Sequence, residues 1–191
     1  GQRVDPPPKP YNHYDFRGRS NANLGLDYML KNDRLKFFGE TALSTASGAM
    51  ATLAALQWTP SSEILATLLY RNYSPRYHAL FASAFARTAR VRNEEGLYLG
   101  LTFTPAPRWL LTGHADLFRF PWMRPRVSFP STGSEYTLRI DWTDPREIIA
   151  AYVRFRSQRT EGDAARGHEI ALRPIVRHRL RAQITCTIDT V

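Results

Sequence analysis

The stretch GLYLGLTFT, residues 96–104, decides how this chain is read. Leu97, Leu99, Leu101 and Phe103 alternate without a break with Tyr98, Gly100, Thr102 and Thr104. Successive side chains of a strand point to opposite faces, so the stretch predicts a strand with one apolar and one polar face. Pro105 and Pro107 then interrupt it, because proline cannot donate to a β-ladder. The rhythm returns at once: Trp109, Leu111, Gly113, Ala115 and Leu117 alternate with Thr112, His114 and Asp116. After residues 120–132, read as a loop, Tyr136, Leu138, Ile140 and Trp142 alternate with Thr137, Arg139, Asp141 and Thr143.

Working outward, residues 1–18 are expected to be an extracellular loop or linker, stiffened by Pro6, Pro7 and Pro8, and residues 19–191 to supply strands. Strands are predicted over 20–30, 35–43, 49–59 and 64–73, with an Asn/Asp turn at 31–34 and small or proline-containing turns at 44–48 and 60–62. In 64–73 the leucines do not alternate. Placing Ile64, Ala66, Leu68 and Tyr70 on the apolar side sends Arg71 to the polar side. Residues 74–92 read as a long loop, with a short helix over 77–87 as the one helical option. A strand follows at 147–156, then a second long, charged loop at 157–176, in which 168–172 is an option for a short strand extension, and a last strand at 177–189, with Leu180, Ala182, Ile184, Cys186 and Ile188 facing lipid.

The predicted fold is therefore all-β: an antiparallel transmembrane β-barrel of about nine strands, each near the ~9–11 residues that cross a bilayer when tilted. Connections alternate between short and long, as in barrels with short periplasmic turns and longer outer loops. Trp58, Phe103, Trp109 and Trp142 gather near the short turns, and Tyr70, Tyr136 and Phe155 near the other rim, the pattern of two aromatic girdles. An odd strand number that starts from an outer loop leaves the termini on opposite sides, with Val191 inside. The expectation is the C-terminal part of a larger barrel, completed by upstream strands or another chain. A soluble lipocalin-like ligand-binding barrel is the alternative fold reading.

Composition adds a charge argument. The 191 residues carry a formal net charge of +9 with a pI near 10.1, which points to an anionic partner such as nucleic acid, outer-membrane lipid or lipopolysaccharide. In the predicted register Arg139, Arg154, Arg156, Arg179 and Arg181 face the lumen, while Arg87, Arg90, Arg92, Arg124 and Arg126 lie in outer loops. Guanidinium pairs well with phosphate, so both sets are candidate polyanion contacts. His114 and Asp116, with Thr112 nearby, share a polar face and raise an outer-membrane hydrolase as a further alternative, but spacing does not establish the hydrogen-bond reach and orienting third group this needs, and a lumenal hydrogen-bond network is the simpler reading. Asp141 with Arg139, and Asp27, are read as ion-pairing groups. His13, His168 and His178 lack metal-site spacing, and no phosphate-cradling glycine loop or CxxC is present, so no metal, cofactor or catalytic set is expected. The single cysteine, Cys186, forms no internal disulfide.

Several stretches carry a resemblance: YNHYDFRG (11–18), FGE (38–40), LYRNY (69–73), NEEGLYLG (93–100) and DLFRFPW (116–122). Together they resemble the barrel region of Gram-negative outer-membrane proteins with an N-terminal helix-hairpin-helix domain. The resemblance implies a barrel that acts as a channel, transporter component or membrane anchor of a larger assembly. It also implies a link to DNA through the helix-hairpin-helix part, whose motif is not in these residues.

Overall fold

A computed structural model describes residues 4–79, 82–166 and 169–187. The fold is all-β. Nine strands form one antiparallel sheet in chain order: β1 (Asn23–Lys31), β2 (Leu35–Ser44), β3 (Ala49–Ser61), β4 (Ile64–Tyr73), β5 (Glu94–Ala106), β6 (Trp109–Phe120), β7 (Ser131–Thr143), β8 (Ile149–Arg166) and β9 (Glu169–Cys186). The sheet is not closed. Among the described residues β1 and β9 are its two edges, each with one neighbour only.

Alternation produces this meander because every neighbour is the next strand in sequence. The short turns have local chemistry. The Asn32 carboxamide oxygen accepts from the amides of Arg34 and Leu35 at 2.9 and 2.7 Å, closing the β1–β2 turn. Arg108 and Glu147 take positive φ (71° and 58°) in the β5–β6 and β7–β8 turns.

Register assigns side chains to faces. One hydrogen-bonded row runs Leu35, Trp58, Ala66, Leu101, Gly113, Leu138, Phe155, Leu180. It starts at the first residue of β2 and ends in the interior of β8 and β9. The ladder is thus staggered in one sense, hairpin after hairpin, which is the geometry of strands tilted against a common axis.

The face of that row is apolar and largely uncovered. Leu26, Leu99, Leu101, Leu138 and Val153 are each about half exposed or more, and Leu180 and Ile184 on the edge strand reach 74% and 78%. The opposite face holds the buried groups: Ala42, Ala51, Ala55, Arg71, Tyr73, Glu94, Asp116, Phe118, Phe120 and Glu135. Its cover comes from the loop 74–93, from residues 121–130 and from the segment 4–22. That segment is tied to strand and loop by the Asn21 side chain, which donates to the His78 carbonyl at 2.8 Å and accepts from the Ser44 hydroxyl at 3.0 Å.

Three expectations are corrected. The stretch 157–176 is not a long loop: β8 runs on to Arg166 and β9 resumes at Glu169, with Glu161 opposite Pro174 and Gly162 opposite Arg173. Charge and proline in that stretch suggested a loop, but an edge strand tolerates a missing donor, and a hairpin projecting past the apolar band has no need of apolar alternation. Strand β1 begins at Asn23 rather than residue 20, after a short irregular approach. No helix forms over 77–87 among the described residues; the single helical turn is Pro10–Asn12. Ile188, Asp189 and Val191 of the expected last strand, and His168, lie outside the described residues.

Candidate functional site

The polar face of β4–β8 carries a continuous chain of charge. Arg71 on β4 donates from Nε to Glu94 on β5 at 2.6 Å and from Nη1 to Asp116 on β6 at 2.8 Å, and all three side chains are almost wholly buried. Arg87 comes down from the loop 74–93. Its Nε donates to Asp116 at 2.6 Å and its Nη1 to Glu135 on β7 at 2.6 Å. Arg156 on β8 donates to the same Glu135 at 2.7 Å. The backbone amide of Arg87 also donates to the Glu94 carboxylate, at 2.8 Å to Oε2. Three carboxylates and three guanidiniums therefore neutralise one another in a row across five strands. Burial of charges is sustainable only when each is paired and hydrogen-bonded in this way.

Glycine makes the row fit. Gly96 sits directly opposite Arg71, and a Cβ there would lie 2.5 Å from the guanidinium carbon. Gly133 plays the same part for Phe118, whose ring would be 2.5 Å from an added Cβ. The long side chains lie flat across the neighbouring strand because that strand has no side chain in the way.

The loop 74–93 is drawn onto this face by more than Arg87. The Phe85 ring packs edge-on against Tyr98 at 5.2 Å between centroids and lies beneath the Arg71 guanidinium at 5.3 Å. The Tyr73 hydroxyl donates to the Phe85 carbonyl at 3.0 Å. Arg87, read from sequence as an outer-loop cation, thus lies in that loop but points its charge back into the sheet.

The strand arginines share one face, since Arg139 is opposite Arg154, which is opposite Arg181, and Arg156 is opposite Arg179. Their surroundings differ. Arg139 is held by Asp141, with Nε to Oδ2 at 2.8 Å, and stacks 4.0 Å over the Tyr152 ring. Arg156 joins the charge chain. Among the described residues Arg154, Arg173, Arg177, Arg179 and Arg181 make no ion pair with a carboxylate; Arg181 donates to Gln183 at 3.0 Å. Like charges directly opposite across a ladder repel.

Of the other loop cations, Arg92 is paired with Asp15, Arg90 reaches the same Asp15 at 3.2 Å, and Arg126 is exposed with φ 65°. Arg124 is half-buried, 3.6 Å over the Phe120 ring, and donates to the Ser131 hydroxyl at 3.2 Å. The aromatic set Trp58, Phe103, Trp109, Trp142, Tyr70, Tyr136 and Phe155 all lies on the apolar face, with the Trp109 and Trp142 rings 6.5 Å apart beside the short turns. His114 stacks on Tyr98 at 5.4 Å, with Nε2 3.4 Å from Glu135, while Asp116 is occupied by two arginines.

Sequence reading missed Glu94 and Glu135, the acids that complete the chain. The signal was there: both fall on the polar register of their strands. Comparison with protein-family models, with curated proteins and with solved structures finds no match to this chain.

Proposed function

We propose that this chain forms membrane-spanning strands of a Gram-negative outer-membrane β-barrel, serving as channel wall or anchor of a larger assembly. The observation that carries the reading is the distribution of charge between the two faces. Across all nine strands the apolar face bears no charged residue from the short turns up to the level of Glu95, Arg119 and Arg159, in a chain whose charged residues make up 23%. On β6 that band runs from Trp109 to Leu117, about 26 Å along a strand at ~3.3 Å per residue and about 20 Å high when tilted ~40°. This is close to the lipid-facing band of outer-membrane barrels, ~25 Å. The staggered ladder supports the same reading, since closure of a barrel requires tilt.

A lipocalin-like soluble barrel would carry its apolar face inside and its charges in water. Here the loops lie against the charged face and leave the apolar one open. Two unpaired edges cannot be satisfied in lipid, so further strands, from this polypeptide or another, complete the wall.

The test is a pair of neighbouring substitutions at one depth. Leu101→Arg puts a charge on the apolar face and should cost roughly 2–4 kcal/mol in bilayer-reconstituted protein, while Thr102→Arg on the polar face should cost little. Folding into lipid vesicles, read by heat-modifiable gel mobility, separates them. Equal tolerance at 101 and 102, or purification as a monodisperse protein without detergent, overturns the reading.

A further inference from the structure

Residues from 6–15, from 88–93 with Pro75, and from 122–125 line an open cavity of about 760 Å³ at the long-loop end of the sheet. Three separate parts of the chain build it, and they are fastened to one another. Arg92 donates to the Tyr14 carbonyl at 3.2 Å and pairs with Asp15. The Trp122 indole donates to the Pro10 carbonyl at 3.2 Å. Asn93 and Trp122 exchange two hydrogen bonds, at 2.9 and 2.7 Å. The volume falls within the range of small-molecule sites.

Its lining is cationic and aromatic. Lys9, Arg90, Arg92 and Arg124 share the lining with a single carboxylate, Asp15. That carboxylate is shared by Arg90 and Arg92. Arg124 makes no ion pair among the described residues, and its Nε is buried without an acceptor. Burial pushes the Arg124 guanidinium below its ordinary value while the charge of Glu94 acts in the opposite direction, and it stays charged near neutral pH, so a half-buried cation has no carboxylate at ion-pair distance among the described residues. The ring of Phe120 beneath it fixes its plane. Beside it Tyr14 and Trp122 meet edge-on, 4.8 Å between centroids at 64°. Two rings set as a corner offer no parallel slot for a flat base, but they suit the C–H faces of a sugar ring.

We propose that this cavity binds a phosphorylated sugar, with the phosphate on Arg124 and the ring in the corner of Tyr14 and Trp122. The source is either a free sugar phosphate or the phosphorylated sugar of a lipid-borne glycan. The inference does not rest on the membrane reading, since the cavity is walled by loops alone.

Calorimetric titration of the full chain in detergent uses glucose 1-phosphate, glucose and lipid A in mixed micelles as probes. Glucose 1-phosphate should bind at least about tenfold more tightly than glucose, and inorganic phosphate should displace it, because a charge-assisted fork to phosphate is the strong contact. Arg124→Gln should weaken glucose 1-phosphate by about tenfold or more, while Arg126→Gln, on an exposed neighbour outside the cavity, should stay within about twofold. Tighter binding of lipid A than of glucose 1-phosphate assigns the lipid-borne source, and the reverse assigns the free one; either supports the site. Indifference to the phosphate group, failure of inorganic phosphate to compete on the wild type, or equal losses at Arg124 and Arg126 overturns it.

Discussion

Strands β4–β7 and strands β8–β9 share one polar face but balance its charge differently. In the first region Arg71, Glu94, Asp116, Arg87 and Glu135 close on one another at 2.6–2.8 Å, and a loop seals them from water. In the second region arginines stand opposite arginines, on a strand exposed along both faces. The three carboxylates of the first outnumber Arg71 and Arg87, and Arg156 reaching over from β8 to Glu135 completes the neutral, buried set. Apart from Arg156, the arginines of the second make no ion pair among the described residues. The same residue type is therefore a structural element in one place and an unsatisfied surface in the other, and what decides is whether carboxylates fall on the facing register.

The largest effect should come from removing the shared carboxylate. Asp116→Asn leaves Arg71 and Arg87 facing each other in a buried site, where breaking a pair costs about 3–5 kcal/mol. Arg179→Gln on β9 should change stability by less than about 0.5 kcal/mol. Denaturant unfolding in detergent measures both, and equal effects would erase the contrast between the regions.

Glycines sharpen it at the next level. Gly96→Ala forces the Arg71 guanidinium to move, for about 1–3 kcal/mol. At Gly162 on β8 a Cβ would meet the end of the Ile175 side chain at 3.1 Å, which can swing aside, so Gly162→Ala should stay within about 0.5 kcal/mol. Thermal melts of the two variants decide whether the close fit is confined to the neutralised region.

If the open arginines take polyanions, binding must fall steeply with salt. Against single-stranded oligonucleotide, Arg154→Ala/Arg179→Ala/Arg181→Ala should flatten the log–log salt slope by about 2, at ~0.7 for each phosphate no longer neutralised. Arg139→Ala should leave it unchanged, because Asp141 already neutralises that charge. An unaltered slope in the triple variant would leave the β8–β9 arginines without an anionic partner of this class.

The smallest effect is a pH dependence in the loops. Burial, with Arg92 nearby, holds the His78 imidazole below its ordinary pKa, where its ring packs against Phe16 at 5.6 Å. A depressed folded-state value means that the neutral ring contributes stability above the ordinary histidine range, and that this is lost as pH falls through the folded value. Protection of the amides of residues 12–21 against exchange, relative to their intrinsic rates, should fall as pH drops below the ordinary histidine range, while the strand amides of β5–β7 stay protected. Uniform behaviour across segment and strands would detach His78 from the packing of the N-terminal segment.

By itself the sequence determined the strand set, the meander order and the two faces. Period-two alternation is a local property, and from Leu97 to Trp142 it is nearly unbroken, so Leu101 and Thr102 could be assigned before any coordinate. The register of 64–73 was reachable by the charge of Arg71 alone, and the structure buries that arginine on the polar face. Alternation failed where apolar periodicity fades, which is why the β8–β9 extension read as loop. Only the tertiary structure decided which cations are neutralised. Arg71 and Asp116 are distant in sequence and meet because three strands bring their rows into line. Arg87 meets them because the loop 74–93 folds back over the sheet. The cavity of Tyr14, Trp122 and Arg124 has the same origin. Pairing between side chains from separate strands and loops depends on cross-strand register and loop path, which no local spacing encodes.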